Sequence, residues 1–266
     1  MDLHDYKDVA ENYDLYIPIM YKEFDRYEGF KEFYFELARE YAKSGTVVDI
    51  ACGTGAVMLH LAEAGFDVEG VDISEAMCNV ARSKVRDKGL RGNIYTADMI
   101  DFKSDKKYSL AIIARCGFMH LLTPELQRAA LMNIRDILED GGILTFNTFA
   151  PNPSLQVEQM NTKENDYTYR FEYINSQGFR EKVYDAISYN HFTQVMSGKW
   201  KFETFDETGK KIFERIRPFK MRQTYKQELL YLIELCGFEV VQIYGDYHKN
   251  TDETGDYVWI LKKLLV

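Results

Sequence analysis

Acidic residues and glycines stand at the ends of short apolar runs in the first half of the chain. The segment 47–55 reads Val-Val-Asp-Ile-Ala-Cys-Gly-Thr-Gly. It begins with two β-branched residues, continues with Asp49 and ends with two glycines. Asp72 ends a second apolar run and Asp98 ends a third. Carboxylates accept hydrogen bonds from hydroxyl and amino groups, and glycine lets a ligand approach the backbone because it has no Cβ. The pattern predicts a binding site for a nucleoside-like ligand.

The two glycines lie between a predicted buried strand and a predicted helix. Apolar residues at helical spacing follow them, and a helix that begins there presents free N–H groups to the anionic part of a ligand. The dinucleotide fingerprint Gly-x-Gly-x-x-Gly requires a third glycine, but Met58 stands at that position. An NAD-dependent oxidoreductase is therefore disfavoured and is kept as the less favoured alternative.

Strands and helices alternate between residues 46 and 149. The strands predicted after the first are 67–73, 93–98, 109–116 and 143–149, with intervening helices that begin near Ser74 and Thr123. Such alternation predicts a doubly wound, mostly parallel sheet. Ligands of such sheets bind beyond the carboxyl ends of the strands, where the acidic residues and glycines stand.

The remaining segments divide the chain into three predicted parts. Residues 1–44 are expected to form an N-terminal helical cap rich in tyrosine. Residues 45–150 and 223–266 form the α/β domain, which closes with a helix at 225–236 and two strands at 239–244 and 257–264, making a seven-stranded sheet. Residues 151–222 form a small antiparallel β insertion of three or four strands, with a hairpin-like turn at 206–209.

Composition narrows the class of protein. The chain has 266 residues and a net charge of −9, which argues against a nucleic-acid partner. The four cysteines are far apart and have no metal-ligand spacing, so we expect reduced thiols and no metal. No run is apolar or long enough for a signal peptide or a membrane span. A cytoplasmic protein that acts on a small molecule is expected, and a homodimer is compatible with these features.

The strand-end residues suit the parts of a nucleoside. Asp72 can accept hydrogen bonds from both ribose hydroxyls. Asp98 can accept one from an exocyclic amine such as that of adenine, and Met99 can offer its backbone N–H to the ring. Ile73 and Met77 can supply an apolar wall. The alternative interpretation is that Asp72 and Asp98 are solvated residues that merely end their strands.

Several segments together resemble the successive motifs of class I methyltransferases that use S-adenosylmethionine. They are Val-Asp-Ile-Ala-Cys-Gly-Thr-Gly (48–55), Val-Asp-Ile-Ser (71–74), Ala-Asp-Met (97–99), His-Leu-Leu-Thr-Pro-Glu (120–125), Ile-Leu-Glu-Asp-Gly-Gly-Ile-Leu (137–144) and Leu-Cys-Gly-Phe-Glu-Val-Val (235–241). The insertion is similar in position and size to the antiparallel lid of small-molecule N-methyltransferases, including those that act on amino sugars. The resemblance implies a Rossmann-like methyltransferase fold.

This resemblance implies S-adenosylmethionine as the cofactor and methyl transfer to nitrogen or oxygen of a small molecule by in-line displacement. It further implies cofactor contacts from the glycine turn and from the backbone after the fourth strand. These residues are Asp49, Ala51, Cys52, Gly53, Gly55, Arg115 and Cys116.

Two residues are candidates for catalysis. His120 follows the fourth strand and carries the side chain that most readily titrates near neutral pH. Tyr13 lies in a Tyr-Asp pair that resembles the N-terminal segment of the family and could close over the methyl group. A packing role is the alternative for each. A cofactor-binding module without turnover also remains an alternative, because catalysis by alignment requires no obligatory catalytic residue.

The insertion is expected to act as a lid that excludes water and carries most of the substrate contacts. Its aromatic residues alternate in a way that gives the sheet two faces. The competing interpretation is a dimerisation platform.

Overall fold

The computed structural model describes residues 6–7, 9–23, 27–43, 45–163, 165–251 and 255–265. The other residues of the predicted N-terminal cap, of the insertion and of the last loop lie outside this described part. The helices are α1 (Tyr13–Glu23), α2 (Phe30–Tyr41), α3 (Ala56–Glu63), α4 (Glu75–Asp87), α5 (Pro124–Ile137), α6 (Pro153–Asn161) and α7 (Lys226–Leu235). The strands are β1 (Val47–Ile50), β2 (Val68–Asp72), β3 (Ile94–Thr96), β4 (Tyr108–Ile113), β5 (Leu138–Phe149), β6 (Thr168–Ile174), β7 (Arg180–Asn190), β8 (Val195–Phe205), β9 (Lys211–Arg222), β10 (Phe238–Tyr244) and β11 (Asp256–Lys263).

The chain divides into two compact units. One unit comprises Gly29–Ala150 and Thr224–Val266, and the other comprises Met1–Glu28 and Pro151–Gln223. The sequence predicts one cap over residues 1–44, whereas the packing separates α1 from α2 at Gly29. The reason is that Phe33 of α2 is buried and packs edge-on against the ring of Tyr244 in the first unit.

The first unit contains a seven-stranded sheet in the order β10-β11-β5-β4-β1-β2-β3. The strands β3, β2, β1, β4 and β5 are parallel, and β11 pairs antiparallel with both β5 and β10. The central strands β1 and β4 are buried along their whole length, as strands covered on both faces should be. This confirms the predicted doubly wound, mostly parallel fold.

One boundary in this unit differs from the sequence prediction. We expect α5 to continue to the glycine pair at 141–142, but the helix ends at Ile137 and β5 begins directly at Leu138. Leu138 pairs with Tyr108, and the register of β4 and β5 then shifts before Leu110 meets Ile143. The glycines therefore lie within an irregular strand and do not end the helix.

The second unit contains a four-stranded antiparallel sheet in the order β6-β7-β8-β9, which confirms the predicted insertion of this type. One face of it packs on α1 through an apolar cluster. The cluster comprises Val9, Tyr16, Ile17, Phe171, Tyr173, Val183 and Phe202. The sequence did not predict α6. This helix begins at Pro153, directly after the capping residue Asn152.

None of the helices formed by the described residues is long and apolar enough to cross a membrane.

Candidate functional site

The turn between β1 and α3 is built from left-handed backbone positions. Ala51, Gly53 and Gly55 have φ of 54°, 57° and 86°. Among the described residues, a Cβ built on Gly53 would meet one neighbour within 4 Å, a guanidinium nitrogen of Arg115 at 3.6 Å. The backbone of Gly53 is therefore open to a ligand, with a positive charge beside it.

Asp49 lies beneath this turn and is almost completely buried. Its Oδ2 accepts a hydrogen bond of 3.0 Å from the backbone N–H of Met58, the residue that stands where a dinucleotide site would have its third glycine. Its Oδ1 is also buried and has no hydrogen-bond partner among the described residues. Burial raises the pKa of Asp49 to about 7, and the opposing contributions of the Met58 N–H and the Arg115 charge do not cancel this effect.

Asp72 joins the end of β2 to the glycine turn. Its two carboxylate oxygens accept backbone hydrogen bonds of 2.8 Å each, one from Gly53 and one from Ser74. Ser74 in turn caps α4 by accepting a hydrogen bond from the backbone N–H of Met77. Because a carboxylate oxygen can accept more than one hydrogen bond, a carboxylate at this position suits the hydroxyl groups of a ligand.

Asp98 lies in a tight turn after β3, beside the end of β2. The backbone N–H of Ala97 donates to the carbonyl of Asp72 at 3.0 Å, and the Asp98 carboxylate accepts from the N–H of Ile100 at 3.1 Å. The buried side chain of Asn133 in α5 holds this turn, because its amide donates to the carbonyls of Met99 and Phe102. Sequence reasoning missed Asn133, although an asparagine on the buried side of a helix requires such partners.

The predicted apolar wall is only partly formed by the protein itself. Met77 is buried inside the first unit, whereas 41% of Ile73 is exposed directly after Asp72. An exposed isoleucine beside two acidic strand ends can be covered by an apolar ring of a ligand.

The backbone after β4 is strained and is held by buried polar groups. Arg115 and Cys116 both have left-handed φ angles, 52° and 63°, which cost roughly 1–2 kcal/mol each in non-glycine residues. Asn147 of β5 accepts from the Cys116 N–H at 2.8 Å and donates to Asp256 at 3.2 Å. Sequence reasoning missed Asn147, whose signal is a single amide within the buried strand β5.

The cysteines of the predicted site face the interior. Cys52 and Cys116 are buried, and a Cβ built on Gly70 of β2 would meet the Cys52 sulfur at 3.0 Å. Burial raises the pKa of the Cys52 thiol. These residues can therefore contribute backbone groups to a site more readily than a thiolate.

The two predicted catalytic residues belong to different units. His120 is half-buried and ends the short 3₁₀ helix Gly117–His120 of the first unit. Tyr13 begins α1 of the second unit, where its ring packs edge-on against Tyr6 and Tyr16. All the other predicted site residues lie in the first unit.

These groups fit the parts of S-adenosylmethionine. The unpaired oxygen of Asp49 can accept from the ammonium group of the amino-acid moiety. Asp72 offers acceptors to the ribose, and Asp98 with the N–H of Met99 suits the edge of adenine. No group of three or more potential metal ligands is present among the described residues.

Comparison with known proteins identifies a methyltransferase domain in the chain. Residues 47–142 match the family model for a methyltransferase domain. The chain is 25% identical to the glycine/sarcosine N-methyltransferase of Aphanothece halophytica, across 97% of each protein. It is 29% identical to the dTDP-3-amino-3,4,6-trideoxy-alpha-D-glucopyranose N,N-dimethyltransferase of Streptomyces venezuelae over 38% of this chain and 41% of that enzyme.

A solved structure shares the fold along the whole chain. The CcbJ methyltransferase from Streptomyces caelestis superposes with a TM-score of 0.80 and 21% identity, and the match covers 100% of both chains. The chain is an S-adenosylmethionine-dependent methyltransferase that contains a methyltransferase domain at residues 47–142 and is similar, over part of its length, to an amino-sugar N,N-dimethyltransferase.

Proposed function

We propose that this methyltransferase methylates a nitrogen atom of a small-molecule amine. The observation that carries the proposal is the similarity, along 97% of both chains, to an enzyme named as an N-methyltransferase of glycine and sarcosine. The shorter match to a sugar N,N-dimethyltransferase agrees with it. An oxygen acceptor is the competing outcome.

The roles proposed for the cofactor-binding residues follow from their hydrogen-bonding capacity. Asp72 accepts from the ribose hydroxyls, and Asp98 accepts from the adenine amine beside the backbone N–H of Met99. Ile73 and Met77 line the adenine face, with the exposed Ile73 side chain covered by the ring.

The amino-acid moiety has a separate set of proposed partners. Its ammonium group lies against Asp49, the buried carboxylate with an unpaired oxygen. Its carboxylate is attracted by the Arg115 guanidinium beside Gly53. The proposed backbone lining comes from Ala51, Cys52, Gly53, Gly55 and Cys116.

The chain's own contribution to the reaction is mainly positioning. Bound S-adenosylmethionine supplies a methyl group on a sulfonium centre, which is already electrophilic. The protein must orient the acceptor nitrogen, keep its lone pair unprotonated and exclude water. His120 is the proposed acceptor of the amine proton, and Tyr13 the proposed aromatic contact of the acceptor.

The acceptor class is tested by incubating the purified protein with S-adenosylmethionine and matched amines and alcohols. We expect S-adenosylhomocysteine to form only with amines, and the product NMR spectrum to show an N-methyl group. An O-methyl product, formed while the matched amine stays unmodified, would overturn the proposal for nitrogen.

Three further expectations from the sequence remain proposals. They are that the four-stranded insertion carries substrate contacts as a lid, that the enzyme needs no nucleic acid, and that it forms a homodimer. Replacing residues 151–222 by a Gly/Ser linker tests the first of them. A lid predicts intact cofactor binding with lost turnover, whereas a dimerisation platform predicts retained turnover and a lower mass in solution.

A further inference from the structure

Arg115, which follows β4, brings a positive charge to the glycine turn of the seven-stranded unit. The residue is half-buried, and one of its guanidinium nitrogens lies 3.6 Å from the position of a Cβ on Gly53. Burial raises the pKa of Asp49 and the charge of Arg115 opposes that rise, so the two side chains lie close enough to interact. Arg115 therefore places a cation at the turn, near a buried acid.

The ring of Phe30, at the start of α2, lies beside the guanidinium of Arg115. The guanidinium carbon is 5.9 Å from the centroid of the ring, which is within the range of a cation–π contact. A guanidinium on an aromatic face loses part of its freedom, while the N–H donors at its edge remain available. Phe30 therefore restricts Arg115 without occupying the donors that an anionic ligand needs.

Phe30 packs in turn against Tyr247, which lies in the loop between β10 and β11. The centroids of these two rings are 6.2 Å apart. Tyr247 is buried and also contacts the rings of Phe33 and Tyr34 in α2, at 5.5 and 5.7 Å. Packing against several rings fixes a side chain in one orientation, so the ring of Phe30 rests on a rigid surface.

The backbone of Arg115 and Cys116 is held by a buried amide and a buried carboxylate. Both residues have left-handed φ angles, so their conformation depends on the contacts around them. The side chain of Asn147 accepts from the Cys116 N–H at 2.8 Å, and its amide donates to the carboxylate of Asp256 at 3.2 Å. Because a carboxylate accepts and does not donate, Asp256 keeps the Asn147 nitrogen toward itself and the oxygen toward Cys116.

We propose that Phe30 and Asp256 are positioning residues for the cofactor, which act through Arg115. Phe30 acts on the guanidinium, whereas Asp256 acts through Asn147 on the strained backbone. Together they hold the guanidinium where it donates to the carboxylate of the amino-acid moiety, so the site selects a cofactor that carries this carboxylate. The inference rests on the contact between Arg115 and that carboxylate, which is part of the proposed function.

The test compares two ligands that differ only in this carboxylate. S-adenosylhomocysteine carries it, whereas the decarboxylated analogue has an aminopropyl chain that keeps the ammonium group. Isothermal titration of the full-length protein, without an acceptor, gives both dissociation constants. Their ratio measures the preference for the carboxylate.

We expect the wild type to bind S-adenosylhomocysteine at least about tenfold more tightly than the analogue, because the contact of a guanidinium with a carboxylate is charge-assisted. Arg115→Gln, which lacks the guanidinium, should bind the two ligands about equally. Equal affinity of the wild type for both ligands would overturn the proposal.

Phe30→Leu removes the aromatic face and keeps an apolar side chain. It should reduce the preference for S-adenosylhomocysteine by about threefold, as expected for a partly exposed cation–π contact, and leave the affinity for the analogue unchanged. Phe30→Trp keeps a face for the guanidinium and should retain the preference. If Phe30→Leu lowered both affinities by the same factor, the role of Phe30 would be overturned.

Phe35→Leu is the matched control, because Phe35 lies on the same helix beside another arginine. The guanidinium carbon of Arg39 is 5.8 Å from the centroid of the Phe35 ring, so the cation–π geometry is nearly the same. This substitution should leave the ratio of the two dissociation constants as in the wild type. A ratio reduced equally by Phe35→Leu and Phe30→Leu would show that α2 acts only through its stability, which contradicts positioning by Phe30.

Exchanging the amide and the carboxylate tests Asp256. Asn147→Asp places a second carboxylate where the amide now donates to Asp256 at 3.2 Å, and two carboxylates at that distance repel each other. The preference for S-adenosylhomocysteine should fall toward that of Arg115→Gln. The double variant Asn147→Asp with Asp256→Asn again pairs one donor with one acceptor and should regain most of the preference.

The double variant separates positioning from folding. The melting temperature should fall in Asn147→Asp and recover in the double variant under either role, because a buried hydrogen bond is lost and then restored. The ratio of dissociation constants should recover with it only if the pair positions Arg115. Recovery of the melting temperature without the preference would overturn the role of Asp256. Phe30→Leu keeps the test decisive if Asn147→Asp does not fold, since Phe30 is only half-buried.

The outcome is separable from that of the proposed N-methylation. The binding ratio is measured without an acceptor, so an O-methyl product would contradict N-methylation and leave the positioning role intact. An enzyme that methylates amines and binds both ligands with equal affinity would contradict the positioning role alone.

Discussion

Each unit of the molecule contains a buried glutamate whose two carboxylate oxygens both accept hydrogen bonds. Each also contains a buried aspartate with one oxygen that has no hydrogen-bond partner among the described residues. In the seven-stranded unit Glu69 accepts from Tyr108, Lys106 and Asn93 at 2.7, 2.8 and 3.0 Å, whereas one oxygen of Asp49 has no partner in the described part of the chain. In the four-stranded unit Glu181 and Asp185 repeat this contrast.

The pKa values of the glutamates and the aspartates are shifted in opposite directions. Burial alone would raise the pKa of Glu69 and Glu181, but the hydrogen bonds and cations around each lower it below the ordinary value. Burial raises the pKa of Asp49 and Asp185, because their partners do not compensate for the lost water. The difference indicates that the glutamates stabilise the fold, while each aspartate keeps one buried oxygen that can accept a further hydrogen bond.

The largest expected effect on cofactor binding comes from the glycine turn above Asp49. Gly53→Val should weaken cofactor binding by more than about 3 kcal/mol, because a branched side chain fills the open space at the turn and suits a φ of 57° poorly. Isothermal titration with S-adenosylmethionine measures the effect. Gly89→Val is the matched control, because Gly89 has a φ of 63° and a Cβ there would meet no described residue within 4 Å. Equal affinity in the wild type and Gly53→Val would make the turn purely structural.

Asp72 is intermediate between the two kinds of acid, because its carboxylate accepts backbone hydrogen bonds and is also proposed to bind the ribose. Asp72→Ala should weaken cofactor binding by about 3 kcal/mol, the value of one or two charge-assisted hydrogen bonds. Asp206→Ala is the control, since Asp206 also accepts backbone hydrogen bonds in a turn but lies in the other unit. An unchanged dissociation constant in folded Asp72→Ala would remove Asp72 from the site.

The satisfied and half-satisfied acids of the first unit can be compared by stability alone. Glu69→Gln should lower the free energy of unfolding by about 2 kcal/mol, because it weakens charge-assisted bonds to Lys106 and Tyr108. Asp49→Asn should change it by less than about 1 kcal/mol or increase it, since the amide still accepts from Met58 and carries no charge. Urea unfolding of the cofactor-free protein measures both. If Asp49→Asn lost more free energy of unfolding than Glu69→Gln, Asp49 would be the residue that stabilises the fold.

Cofactor affinity should depend on pH through Asp49. The pKa of Asp49 in the cofactor-free protein is about 7, so below that pH the carboxyl is protonated and must lose its proton to bind an ammonium group. Affinity should therefore fall by about tenfold per pH unit, or about 1.4 kcal/mol, as the pH decreases below about 7, and should be flat above it. Titrations between about pH 5.5 and 8 measure the slope.

Asp49→Asn is the control for this slope, because it cannot release a proton. The variant should bind more weakly and show no slope over the same range. A slope shared by the variant and the wild type would assign the titration to another group.

The smallest expected effect concerns Ala51, an alanine at a left-handed position of the turn. Ala51→Gly should change the free energy of unfolding by less than about 0.5 kcal/mol, because relief of the φ of 54° offsets the greater freedom of glycine in the unfolded chain. Ala130→Gly, in the buried interior of α5, should cost about 1–2 kcal/mol. Equal losses for both variants would show that Ala51 is not strained.

Much of the first unit could be predicted because its signals are local. A buried strand, a glycine turn and an amphipathic helix each depend on neighbouring residues, and their repetition implies a parallel sheet whose strand ends meet. The boundaries were less predictable, as the end of α5 shows. That helix ends at Ile137 because Leu138 pairs with Tyr108, a contact between residues far apart in the chain.

The two asparagines show a similar limit within the site. Asn133 and Asn147 hold the loops that carry Asp98 and Cys116, yet each stands inside a regular element without a motif. Their importance depends on which backbone groups the tertiary structure brings to them.

The sequence by itself determined the seven-stranded fold class, the glycine turn and the acidic strand ends, because hydrophobic periodicity and glycine geometry are local properties. Only the tertiary structure decided that Asp49 and Asp185 each keep a buried oxygen without a hydrogen-bond partner among the described residues, while Glu69 and Glu181 do not. The physical reason is that hydrogen-bond satisfaction depends on distant residues. Lys106 stands 37 positions from Glu69, and Arg215 stands 34 positions from Glu181.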